Sequence, residues 1–225
     1  MTFSEVITQL KLLSSPDHFD KLRHFGINDS KALGIKIPLL RLLAKKIGKN
    51  HDLATELWYS EIHEARILAT MIEDPTKITE NQLDKWVADF DSWDICDSST
   101  TLFGKTPYIY SKIFEFASSE EVYVKRFAFA TICQQAIHNK KLSNEAFIPL
   151  LSLIERESWD NRNFVKKAVN WALRQIGKRN EILRLEALKT ANQIYNQGSK
   201  SAKWIANDAI RELNNPTIIK RIKTK

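Results

Sequence analysis

EARILATMI (64–72), VKRFAFATI (124–132) and VKKAVNWAL (165–173) each set a basic residue ahead of an Ala-rich apolar run with helical spacing. The three stretches lie 41 to 60 residues apart, the length of a unit built from two helices. Small residues let neighbouring helices approach closely, and such units stack side by side. Outward from these stretches, helical periodicity recurs almost throughout and strand-like alternation is nearly absent. The pattern predicts helices over 3–14, 17–25, 38–48, 52–59, 61–73, 78–90, 92–104, 107–118, 120–138, 143–157, 161–178, 180–197, 199–213 and 216–223. Pro16, Pro38, Pro107 and Pro216 fall at predicted starts, where a missing amide donor costs little. Gly26, Gly48 and Gly198 fall just past predicted ends, where a glycine closes the last turn. Short connections make successive helices antiparallel neighbours. The expected fold is all-α, a curved α-solenoid of antiparallel helix pairs. No linker rich in Gly, Ser or Pro divides the chain, so one domain over 1–225 is expected.

Composition narrows the class further. Hydrophobic residues make up 43% of the 225, enough to bury a core, and only six Gly and six Pro argue against a turn-dense sandwich or barrel. Cys96 and Cys133 cannot form a disulfide framework, and no Cys/His spacing fits a zinc site. The N-terminal MTFSEVITQLKLLSS carries Glu5 and lacks a basic n-region, so it does not read as a secretory signal. No stretch approaches the length of uncharged apolar sequence that a membrane span needs. The expectation is a soluble, cytoplasmic protein without metal or cofactor.

The formal charge of +7 is unevenly distributed. Residues 1–100 hold 12 Lys plus Arg against 16 Asp plus Glu, whereas residues 101–225 hold 22 against 11. Such asymmetry points to a polyanion partner for the C-terminal half, or to a merely soluble basic protein.

Three stretches could carry chemistry. On helix 161–178, Val165, Ala168, Val169, Ala172 and Ile176 form the buried stripe, and Trp171 lies roughly 120° away with Lys167, Arg174 and Lys178. An aromatic among cations suits nucleic acid, while the alternative is packing against a neighbouring repeat beside Lys stems. In DFDSWDICDSSTTLFGKTP (89–107), Trp93 and Asp97 share a helix face at i, i+4, opposite Ile95, Cys96, Ser99, Leu102 and Phe103. A ring and a carboxylate together can bind a cation. Asp91 and Asp94 are accounted for by the helix start, but Asp97 stands a full turn further in. Arg126, beside Lys125 at the entry to an apolar helix, either contacts a phosphate or carboxylate or pairs with Glu120 or Glu121. Trp58, Trp86 and Trp204 recur on amphipathic helices, and core packing is expected for each. No P-loop, Rossmann glycine pattern, HExxH or nucleophile elbow is present.

Taken in order, these motifs resemble the AlkD-like DNA alkylation repair family of HEAT-like-repeat DNA glycosylases. SWDICD (92–97) resembles its Trp-Asp motif, KRFAF (125–129) its active-site Arg helix, and VKKAVNWALRQIGK (165–178) the helix of its second Trp. LGIKIP (33–38) resembles the loop before the third helix, and Ser92 stands where the family often has another Trp. The resemblance implies catalytic roles for Asp97, Trp93, Trp171 and Arg126. It implies phosphate contacts from Lys167, Arg174 and Lys178, with Lys125, Arg162 and Arg179 added from the same basic segments. The implied partner is double-stranded DNA carrying N3- or N7-alkylated purines, handled by a monomer without metal. The alternatives are a non-catalytic nucleic-acid-binding protein of the same fold and a protein–protein scaffold.

Overall fold

A computed structural model describes residues 1–27 and 29–224, the side chain of Lys223 excepted. Among the described residues there are fourteen α-helices and two 3₁₀ turns, without a strand. Each predicted helix is present, and none of them is long and apolar enough to cross a membrane. The chain forms two compact units, Met1–Tyr108 and Ile109–Lys225.

Unit 1 comprises α1 (Phe3–Leu12), α2 (Phe19–His24), α3 (Ile37–Ile47), α4 (His51–Tyr59), α5 (His63–Ile72), α6 (Glu80–Ala88) and α7 (Trp93–Phe103). Side-chain caps define several starts: Thr2 and Glu5 form a capping box, and Asn50 and Thr79 accept the amides of Leu53 and Gln82. Helix α5 carries the first Ala-rich stretch and is almost wholly buried, touching α1, α3, α4 and α7. Trp58 and Trp86 are fully buried, as expected, with parallel rings 4.2 Å apart. Phe103 meets Trp86 edge-on, and the Trp58 indole N–H donates to Asp89 at 2.8 Å.

Unit 2 comprises α8 (Ile109–Ala117), α9 (Val122–His138), α10 (Ile148–Glu157), α11 (Asn163–Gly177), α12 (Glu181–Asn196), α13 (Lys200–Leu213) and α14 (Pro216–Lys223). The other two Ala-rich stretches lie on α9 and α11, which pack against each other. Ala128, Ala130, Ala168 and Ala172 are buried, consistent with close approach through small side chains. At the end of α11, a Cβ on Gly177 would stand 2.7 Å from the Leu213 methyls.

The boundaries differ where proline acts. Pro149 lacks an amide donor, so the segment expected to be helical from 143 opens as a 3₁₀ turn over Glu145–Phe147 before α10. Pro16 likewise opens a 3₁₀ turn, Pro16–His18, ahead of α2. Pro107 lies in the turn before α8 rather than inside the helix. Gly26, Gly48 and Gly198 all have positive φ, as expected of residues closing helix ends.

Candidate functional site

The start of α7 determines what Trp93 and Asp97 face. Ile95, Cys96, Ser99, Leu102 and Phe103 are buried, which turns the opposite face of the helix outward. Asp94 secures the first turn: its Oδ1 accepts from the Ser92 hydroxyl at 2.7 Å and the Ile95 amide at 3.0 Å. Its Oδ2 lies 2.9 Å from His63 Nε2. Burial alone would raise the Asp94 carboxyl, but the His63 hydrogen bond and charge, with Ser92 and Ile95, hold it below its usual range. Burial would lower the His63 imidazole, but Asp94 outweighs it and the imidazole titrates higher than usual.

Trp93 and Asp97 line one cleft of about 760 Å³ within unit 1. The Trp93 indole N–H donates to the Phe25 carbonyl at 3.0 Å, which orients the half-buried ring. Ile37 adds an apolar wall. The loop before it is pinned by buried Glu64, which accepts from the Leu33 amide at 2.7 Å and the Ile35 amide at 3.1 Å. Gly34 is required there: its φ is +72°, and a Cβ would stand 2.2 Å from the Ser15 carbonyl oxygen.

Arg41, Lys49 and Lys105 line the same cleft, and nothing in the sequence singles them out. The Lys49 ammonium donates to the carbonyls of Met71 at 3.0 Å and Glu73 at 2.8 Å, at the end of α5. Burial, and then the charge of Lys105, push its pKa down against the pull of Asp74 and Glu73. Neither Arg41 nor Lys105 has a carboxylate partner among the described residues. The cleft therefore combines the Phe25 and Trp93 rings, the Asp94 and Asp97 carboxylates and three cations.

Unit 2 brings Arg126, Lys167, Trp171 and Arg174 to one pocket of about 330 Å³, with Asn170, Trp204 and Asp208. Trp171 is half-buried and off the apolar stripe, as its helical position required. With the Gln175 amide turned to accept, its indole N–H finds that oxygen at 3.2 Å. Arg126 is buried and donates to the Phe164 carbonyl at 3.0 Å. Arg174 lies 2.8 Å from Glu212 and 3.4 Å from Asp208, and Lys178 lies 2.9 Å from Glu212. Burial would raise the Glu212 carboxyl, yet these two cations hold it below its usual range. Lys167 is exposed.

Three further residues expected to meet phosphate are engaged inside unit 2. Lys125 is 4% exposed and its ammonium sits 2.7 Å from Glu157 and 3.3 Å from Asp160, under the exposed ring of Trp159. Arg162 grips Asp160 at 2.6 Å and donates to the Glu120 carbonyl. Arg179 donates to the carbonyls of Ala136, Asn139 and Leu142, closing the end of α9. Helix projection cannot detect these engagements, because Asp160 lies in the turn before α11, and Glu157 and the carbonyls come from other segments. Trp204 requires a correction: it is 42% exposed rather than packed in the core.

The family described as DNA alkylation repair enzyme matches residues 6–213. The chain belongs to that family. Over 97 residues it is 35% identical to an uncharacterized protein of Listeria innocua serovar 6a, a stretch covering 41% of this chain and 43% of that protein. An uncharacterized protein of Listeria monocytogenes serovar 1/2a is 34% identical over 97 residues, with the same shares. The match thus spans less than half the length of either relative. A solved structure aligns with TM-score 0.78 and 17% identity, covering 94% of this chain and 95% of its own. It is described as a new family of proteins related to the HEAT-like repeat DNA glycosylases, with affinity for branched DNA structures. The chain accordingly has the all-α, HEAT-like repeat fold of this DNA alkylation repair family, as the motifs led us to expect.

Proposed function

We propose that the protein is a DNA N-glycosylase that excises positively charged N3- and N7-alkylated purines from double-stranded DNA, with no metal or cofactor in the chemistry. The observation that carries this reading is the pairing of Trp93 and Asp97, one turn apart on the open face of α7, in a cleft bordered by Arg41, Lys49 and Lys105. Alkylation leaves the purine positively charged, so it departs as a neutral base when the C1′–N bond breaks. The positive charge then develops on the sugar. Ionised Asp97 stabilises that oxocarbenium-like charge, water adds at C1′, and the water's proton is released. The Trp93 ring attracts the cationic base before departure.

In this reading Arg41, Lys49 and Lys105 neutralise phosphates beside the lesion. Trp171, Arg126 and Lys167 are unit 2's contribution to holding the DNA, and Arg174 and Lys178 contribute only as far as Asp208 and Glu212 release them. The protein acts as a cytoplasmic monomer. Base-release analysis on methylated duplex DNA tests the reading: wild type is expected to free 3-methyladenine or 7-methylguanine, and Asp97→Asn to release it at least about 100-fold more slowly. Equal rates would remove Asp97 from the mechanism.

A second reading is a non-catalytic DNA-binding protein of the same fold. The apolar wall at Ile37 and the use of Ser92 to hold Asp94 favour it, and the structurally similar family is described by its affinity for branched DNA. It predicts salt-dependent binding with no base release from any alkylated duplex.

A further inference from the structure

We propose that Trp204 and Trp171 form a stacking site for an unpaired nucleobase within unit 2. The inference rests on the DNA-binding part of the reading above. Helix α13 buries Ala202, Ile205, Ala206, Ala209 and Leu213, so packing is satisfied without Trp204. The Trp204 ring nevertheless stands 42% exposed on the polar side of the helix, at the pocket that Trp171 also lines. The Lys166 ammonium lies 5.2 Å from the Trp204 ring centroid and attracts the ring electrostatically.

The charges around the pocket argue for a base and against a phosphate. Arg174 is matched by Asp208 and Glu212, and Lys178 by Glu212, so a phosphate entering here meets two carboxylates that already hold the cations. A flat, uncharged heterocycle does not. Its faces suit the two indoles, and its polar edge can meet Asn170 and Asp208 as acceptors and Lys167 as donor. Bases inside a duplex keep their faces stacked on one another, so the ligand is a base without a partner: a bulge, a single-stranded end or a branch point. Stacking of this kind tolerates any base identity because each base has a π-face.

The test compares full-length protein binding to two duplexes of equal length, one fully paired and one with a single bulged 2-aminopurine. Wild type should prefer the bulged duplex by about tenfold or more, with the 2-aminopurine fluorescence quenched on binding. The preference should change little between low and moderate salt, because the bulge adds stacking rather than counterion release. Trp204→Ala should bring the ratio of affinities near one and abolish the quenching, whereas Trp204→Phe should keep most of both. Trp159→Ala, which removes an exposed ring away from the pocket, should leave the ratio unchanged. A wild type without preference, or a Trp204→Ala that retains it, overturns the inference. Base release is a separate readout: release without bulge preference defeats this inference alone, and preference without release defeats the glycosylase reading alone.

Discussion

The two units invert the relation between net charge and available charge. Unit 1 holds 13 Lys plus Arg against 16 Asp plus Glu, yet its cleft presents Arg41 and Lys105 without carboxylate partners among the described residues. Unit 2 holds 21 against 11, yet Lys125, Arg162, Arg174 and Lys178 are each matched by an acid. A polyanion responds to cations it can reach at short range, not to a segment's total. The C-terminal excess that first pointed to DNA is thus partly structural, while the net-acidic unit presents cations that no carboxylate matches among the described residues.

The units also differ in how they are held. Both units bury Ala-rich helices, and unit 1 adds two stacked tryptophans. Trp86→Ala is expected to cost about 3–5 kcal/mol, read from urea unfolding, because it leaves a large cavity against Trp58 and Phe103. A loss below about 1 kcal/mol would show that the stack is dispensable.

Next in size is the Asp97→Asn effect on base release, which probes the carboxylate on α7 of unit 1. A comparable loss of rate on removing Arg174 would break the distinction, since Arg174 is already paired within unit 2.

The His63–Asp94 pair gives a smaller, pH-dependent effect. His63 titrates higher in the folded protein, so its stabilisation is fully present below the ordinary imidazole pKa of about 6.5 and fades as pH rises through the raised value. Asp94 titrates lower when folded, so its share is present above about pH 3.9 and is lost as pH falls through the lowered value. His63→Gln should cost about 1.5–3 kcal/mol near pH 6 and less at pH 9. A pH-independent loss, followed by thermal or urea unfolding, would remove the ionic component.

The smallest effects test the phosphate assignment directly. Arg41→Ala or Lys105→Ala should each reduce the slope of log K against log salt by about one, weakening binding uniformly across duplex sequences. Lys125→Met should leave that slope unchanged while altering stability. The reverse result would restore the C-terminal half as the main phosphate face.

Much of the fold and part of the site are legible in the residues alone. Helix positions follow from the recurrence of apolar residues, and Trp93, Asp97 and Trp171 leave the buried stripes where their spacing puts them. Trp204 departs from expectation because a large apolar residue on an amphipathic helix ordinarily faces the core; nothing local marks it as the exception. Arg41, Lys49 and Lys105 escape a reading along the chain because they come from α3, from the residue just beyond its closing glycine and from the turn after α7, and they lie in a net-acidic unit.

By itself the sequence determined the helices, their buried stripes and the shared face of Trp93 and Asp97, because these depend on a rotation of about 100° per residue along one helix. Only the tertiary structure decided which cations are matched and which are open, since Arg174 and Glu212 stand 38 residues apart and Lys49 and Lys105 come together from different segments. Periodicity is a property of neighbours along the chain. Coulomb attraction and burial depend on distance through space, and the packing of helices sets that distance.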